Sequence, residues 1–229
     1  MNTLGQQLLD FYLNLQFPFD LPVHFRVMNP FHDDRVRRTI SAFYLRYLNS
    51  SIPHRVLMGI NPGRHGGGIT GIPFTDTKRL TQVCQIAWDG LSSHEPSSEF
   101  FYAMATAHGT VDDFYAKFFS FPVSPLGYLR QTSSLRWVNA NYYDSPSLLQ
   151  ATHPFIIDCL NHLIHWPVDR NLAFCLGQGP NYKILVELNQ TYHWFDRIEA
   201  LPHPRFIIQY KRKEILKYID LYWKALLSH

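Results

Sequence analysis

Leu4, Leu8, Leu9, Phe11, Tyr12 and Leu15 recur at the spacing of one helical face and stop near Pro18, which predicts an amphipathic helix. Val36, Ile40, Phe43, Tyr44 and Tyr47 repeat the pattern behind a cap at Asp33 or Asp34, and Ser50-Ser51-Ile52-Pro53 ends it. The apolar run 55–60 predicts a first strand. After a glycine-dense loop, Asp76 or Thr75 can cap a helix reaching Trp88, and further helical segments fall near Phe100 and Asp113. Strands follow at 135–139, 171–176 and 197–201, with helices at 155–166 and 182–188 between them and a last helix from Lys211.

Strands alternating with helices imply a three-layer α/β/α sandwich with a central, mostly parallel four-stranded sheet and right-handed crossovers, in one domain over 1–229. Ligands of such sheets bind beyond the carboxyl ends of the strands. The loop after residue 60, Asn139-Ala140-Asn141 and His203 all sit at predicted strand ends, so one edge collects the polar features.

Composition narrows the class. Hydrophobic residues make up 46% and charged residues 17% of 229, so the chain should pack a core by itself. A net charge of +3 permits nucleic-acid binding without arguing for it. Cys84, Cys159 and Cys175 are widely spaced, which predicts buried thiols rather than a disulfide framework or a metal cage. The start lacks a signal peptide's basic and apolar regions, and no later stretch approaches the roughly 18 apolar residues of a membrane span. The expectation is an intracellular, soluble monomer with no membrane partner, cytoplasmic and nucleoid-associated if bacterial.

"GINPGRHGGGITGIPF", residues 59–74, packs six glycines and two prolines into sixteen positions. Glycine loses the most backbone entropy on folding, so such a loop is either slack or shaped to receive something. No Gly-Lys-Ser/Thr follows, which excludes a P-loop, and the glycine spacing excludes a Rossmann fingerprint. No G-x-S-x-G precedes a helix, and His162 and His165 lack carboxylates at ligand spacing, so neither a hydrolase triad nor a metal site is expected.

The same loop resembles the first motif of the single-strand-selective monofunctional uracil-DNA glycosylases, G-M-N-P-G-P-F-G-M-A-Q-T-G-V-P-F-G, without a gap. Met28-Asn29-Pro30-Phe31 and Ala42-Phe43-Tyr44-Leu45-Arg46-Tyr47 are similar to the family's Y-N-P-L and A-Y-L-R-R-Y, and Leu201-Pro202-His203-Pro204-Arg205 to its second motif, H-P-S-P-R-N. The chain departs at Arg64-His65, at Gly67-Gly68-Ile69 and after Pro204, which marks a divergent branch with a changed DNA-wedging loop.

The resemblance implies a glycosylase that flips a deaminated base out of DNA and hydrolyses its glycosidic bond without a cofactor or metal. Asn61 would hold the attacking water and His203 would donate to the pyrimidine O2. Phe74 would stack on the base, Gly59, Ile60 and Gly63 would line its pocket, and the glycine at 63 would leave room for 5-substituted uracils or deaminated purines. The family reads the base with an asparagine in the context F-V-x-N-x-C-P-L, for which Asn141 and Asn139 are both candidates. An amide suits uracil because it can accept from N3–H and donate to O4. Arg205, Lys211, Arg212 and Lys213, near the start of the last helix, would contact DNA phosphates. A nucleic-acid-binding protein with the same fold and weakened catalysis is the alternative, and an unrelated nucleoside hydrolase a third.

Overall fold

Polar caps fix where many helices begin in the computed structural model, which describes residues 2–228. In chain order the elements are α1 (Leu4–Asn14), β1 (Phe25–Met28), α2 (Asp34–Tyr47), β2 (Arg55–Gly59), α3 (Gly67–Thr70), α4 (Thr77–Gln82), α5 (Pro96–Ala105), α6 (Val111–Tyr115), β3 (Phe118–Pro122), β4 (Gly127–Gln131), β5 (Trp137–Ala140), α7 (Pro146–Leu163), β6 (Leu172–Leu176), α8 (Pro180–Tyr192), β7 (Arg197–Leu201), α9 (Pro204–Tyr210) and α10 (Ile215–Leu227). Thr3 and Gln6 form a reciprocal capping box on α1. Asp33 caps α2 and Asp76 caps α4, each accepting a backbone N–H of the first turn.

The central sheet has the order β3-β2-β6-β7 and is parallel throughout. Helices cover both of its faces, which completes the three-layer sandwich. Within β3 the alternation of a strand sends Phe118 and Phe121 to opposite sides. Phe118 meets Trp223 of α10 and Phe114 of α6, whereas Phe121 meets Phe11 of α1 and Trp166. All five β3 residues are buried, and truncating one such phenylalanine would cost about 3–5 kcal/mol.

Four expectations need correction. The helix capped by Asp76 ends at Gln82, not Trp88. The strand near 135–139 is not in the central sheet: β5 pairs antiparallel with β4, and β4 with β1, in a separate three-stranded sheet. The fourth central strand is β3, Phe118-Phe119-Ser120-Phe121-Pro122, which carries no period-two pattern to separate it from the neighbouring helix. The last helix begins at Ile215, not Lys211, because α9 and a 3-10 turn over Arg212–Glu214 intervene. Helix α7 also starts before the expected residue 155 and runs through Pro154, held by a buried face that includes Leu148, Thr152, Phe155 and Cys159. Packing there outweighs the hydrogen bond that the proline removes.

Candidate active site

The carboxyl ends of β2, β3 and β7 open onto a cleft of about 310 Å³. Its lining includes Gly59, Ile60, Asn61, Gly63, Phe74, Glu95, Pro122, Asn139, Asn141, His203 and Arg205. The pocket residues expected from the sequence therefore meet at one place, although Asn139 and Asn141 reach it from the side sheet.

Asn61 follows β2 and is fixed by both ends of its amide. Its Nδ2 donates to the Ala140 carbonyl at 3.1 Å, and its Oδ1 accepts the Tyr142 N–H at 3.1 Å. These partners settle the amide orientation, since a carbonyl can only accept and an N–H can only donate. One amide hydrogen and one oxygen lone pair are left over.

The two candidate base-reading asparagines differ in what they have to spare. Asn141 donates its backbone N–H to Asp144 Oδ2 at 2.9 Å and its Nδ2 to Asp144 Oδ1 at 3.2 Å, so its side chain is turned onto a local turn. Asn139 accepts the Arg64 N–H on Oδ1 at 3.1 Å, and its Nδ2 makes no hydrogen bond among the described residues. That Nδ2 lies 3.5 Å from the point a Cβ on Gly63 would occupy. Arg64 also donates to the Trp137 carbonyl at 2.8 Å, which ties the middle of the glycine loop to β5.

His203 caps α9: its Nδ1 accepts the Arg205 N–H at 3.0 Å. An accepting Nδ1 carries no proton, so the neutral ring holds its hydrogen on Nε2 as a donor. Burial, helped by the nearby Arg205 charge, pushes the imidazole down to about 4. The ring is thus an uncharged donor at neutral pH.

Phe74 stacks on Phe101 with centroids 5.1 Å apart and planes 7° from parallel, while its ring also approaches His203 at 6.3 Å. It holds a left-handed φ of 54°, a conformation that costs a bulky L-residue about 1–2 kcal/mol. Strain of that kind persists where surrounding structure imposes it. Gly59 makes the position possible, because a Cβ there would stand 2.9 Å from the Phe74 ring.

Glu95 carries no expectation from sequence, yet its side chain forms part of the cleft wall. It occupies the N-cap of α5 but makes no side-chain cap bond. Its Oε1 lies 3.0 Å from where a Cβ on Gly63 would be, and a Cβ on Gly66 would overlap its Oε2 outright. Two glycines of the loop are therefore the space this carboxyl fills. The signal was present in the glycine spacing, but the sequence does not say which distant residue the glycines admit. Pro122, ending β3, is another unforeseen part of the wall. Phe119-Ser120-Phe121-Pro122-Val123-Ser124-Pro125-Leu126 keeps the Phe, Pro and Leu of F-V-x-N-x-C-P-L and puts Pro122 at the asparagine's place, so that strand end offers no amide.

Outside the cleft, Arg212 forms a two-pronged pair with Glu99 at 2.6 and 3.1 Å, and Lys211 pairs with Glu214 at 3.3 Å. Glu214 also occupies the N-cap of α10, where an anion would otherwise be drawn. Lys213 is exposed and has no ion pair among the described residues.

The sequence model of the uracil DNA glycosylase superfamily matches residues 46–227. The crystal structure of wild-type SMUG2 from Pedobacter heparinus is similar at 40% identity with a TM-score of 0.95, covering all of both chains. No curated protein matches the chain. With the parallel sheet, the cleft at its carboxyl edge and these two agreements, the chain belongs to the uracil-DNA glycosylase superfamily, as a SMUG-like member.

Proposed function

We propose that this protein is a monofunctional glycosylase of base excision repair, which flips uracil or another deaminated base from DNA into the cleft and hydrolyses its bond to deoxyribose. The observation that carries the reading is the meeting of Asn61, Phe74 and His203 around one cavity beyond the carboxyl ends of the sheet. The bond breaks through an oxocarbenium-like sugar and an anionic base, so water placement and a donor to the base carbonyl supply most of what is needed. Asn61 places the water with its spare amide hydrogen and lone pair. His203 donates from Nε2 to O2 without bringing a positive charge that burial would penalise. Phe74 stacks on the base, and the Asn139 amide, with its unspent Nδ2, is better placed than Asn141 to take a base carbonyl. No lysine stands at these positions, which leaves hydrolysis rather than strand cleavage.

The direct test is release of base from labelled oligonucleotides carrying uracil, hydroxymethyluracil, hypoxanthine or xanthine. Excision of at least one is expected. Tight binding with no abasic product would overturn the enzymatic reading and support a binding protein, and turnover of free deoxyuridine equal to that of the oligonucleotide would favour a nucleoside hydrolase.

Gly63→Tyr fills the space beside Glu95 and Asn139. Excision of hydroxymethyluracil or a deaminated purine should then fall roughly tenfold or more beyond any loss on uracil, read as a ratio of kcat/KM values. An equal loss on all bases would argue against Gly63 as the determinant of pocket width. For the DNA contacts, Arg205 at the cleft rim and Lys213 are the better candidates, since Arg212 and Lys211 already hold carboxylates. Arg205→Ala and Lys213→Ala should each weaken binding to every oligonucleotide alike and reduce the slope of log affinity against log salt by about 1. A loss confined to one lesion would contradict a phosphate contact.

A further inference from the structure

We propose that Glu95 is a specificity-determining residue, its carboxyl accepting the ring N–H of the flipped base between the donors Asn139 Nδ2 and His203 Nε2. The proposal rests on the reading that the cleft receives a base. Its geometric support is local: an N-cap glutamate that ignores its own helix, two glycines that clear its path, and an absence of hydrogen bonds or ion pairs to its carboxyl among the described residues. Asp76 holds the Glu95 backbone N–H at 2.8 Å, so the residue is anchored while its carboxyl remains uncommitted. Oε1 and Asn139 Nδ2 both lie within 3.5 Å of the Gly63 Cβ position, an acceptor and a donor around one point of the cleft wall. With the His203 donor they make the sequence donor, acceptor, donor, the complement of the carbonyl, N–H, carbonyl edge of uracil. Cytosine lacks the ring N–H and presents an amine where Asn139 also donates, so it fits badly.

The leaving base is anionic, and an ionised carboxylate beside it would oppose its departure. The acid form still accepts on its carbonyl oxygen. Burial and the neighbouring Asp76 charge push Glu95 up to about 7, with Arg205 pulling the other way. The charged groups that bear on it are thus Asp76 at the cap of α4 and Arg205 on α9; His94, the preceding residue, is turned to Arg79 at 2.7 Å. His203, held at about 4, does not titrate in the same range.

The test compares wild type, Glu95→Gln and Glu95→Ala on a uracil oligonucleotide between pH 6 and 9, with a thermal melt of each. Wild-type kcat/KM should fall as pH rises through about 7. Glu95→Gln, which keeps a neutral acceptor, should lose that fall, and Glu95→Ala should be lower by roughly 10- to 100-fold at pH 6. Glu95→Gln should also melt higher than wild type at pH 8.5, because an ionisable Glu95 favours the unfolded chain as pH rises from 4.5 towards 7. Parallel pH profiles for wild type and Glu95→Gln, or an unimpaired Glu95→Ala, would overturn the proposal while leaving the glycosylase reading intact. A wild type that excises no base would remove both.

Discussion

Asn61→Ala is expected to lower turnover on a uracil-containing oligonucleotide by at least about 10²-fold, with DNA affinity close to wild type. An asparagine is too weak a base to take a proton outright, so in the proposed mechanism its contribution lies in where it holds water. The same amide closes β2 onto the 140–142 segment, and removing it strands the Ala140 carbonyl and the Tyr142 N–H. That loss would cost about 1–3 kcal/mol of stability, visible as a lower melting temperature. Asn61→Asp separates the two effects. It keeps an acceptor for Tyr142 but sets an oxygen against the Ala140 carbonyl, so it should be destabilised as well, yet it can still accept from water. A turnover of Asn61→Ala equal to wild type, measured well below both melting temperatures, would refute the role.

His203→Ala should lose turnover by a similar or larger factor, roughly 10²- to 10³-fold, mainly in kcat, since the donor acts on charge that develops as the bond breaks. His203 also caps α9, so His203→Asn is the informative companion. It restores a cap acceptor with a shorter side chain, and it should recover melting temperature without recovering rate. The pH behaviour follows from the depressed imidazole. The folded ring, at about 4, stays neutral to near pH 5, so no loss of activity from His203 is expected between pH 8 and pH 5. Its effect on stability has the opposite reach: the unfolded histidine takes up a proton below its ordinary 6.5 while the folded one resists, so stability falls as pH drops from 6.5 towards 4. A Glu95→Gln rate that fell as pH rose, with a midpoint near 6.5, would show that the ring titrates normally and acts as the charged imidazolium.

Much of this site was legible because chain-local signals wrote it. Asn61 and His203 sit directly after strands that alternate with helices, and that order alone sends them to one sheet edge. Phe74 and Gly59 lie in the same short motif. What escaped depended on contacts far apart in sequence. Strand β3 is buried on both faces, so its pattern has no polar phase to mark it, and the fourth place in the sheet fell by default to the 135–139 segment. That segment does form a strand, but in a sheet whose other members, β1 and β4, are only four and five residues long. The preference proposed for Asn139 over Asn141 turns on Asp144 and Arg64, partners that occupy the Asn141 Nδ2 and the Asn139 Oδ1 and leave the Asn139 Nδ2 unspent. Glu95 was hidden for a similar reason: a lone glutamate in a polar stretch is ordinary until the glycines facing it are seen. The expected helix start at Lys211 escaped for another reason, since α9 and the 3-10 turn after it come between β7 and the last helix.

The short strand β5 has a mechanical consequence. Asn61 is pinned to its last residue, Ala140, and Arg64 to Trp137 and Asn139, so three hydrogen bonds couple the side sheet to the glycine loop. In the proposed mechanism a base seated against Asn139 would therefore press on the support that aims Asn61. A poorly fitting base would displace the nucleophile's holder along with itself, and discrimination between lesions would be registered in the rate of the chemical step more than in the strength of binding.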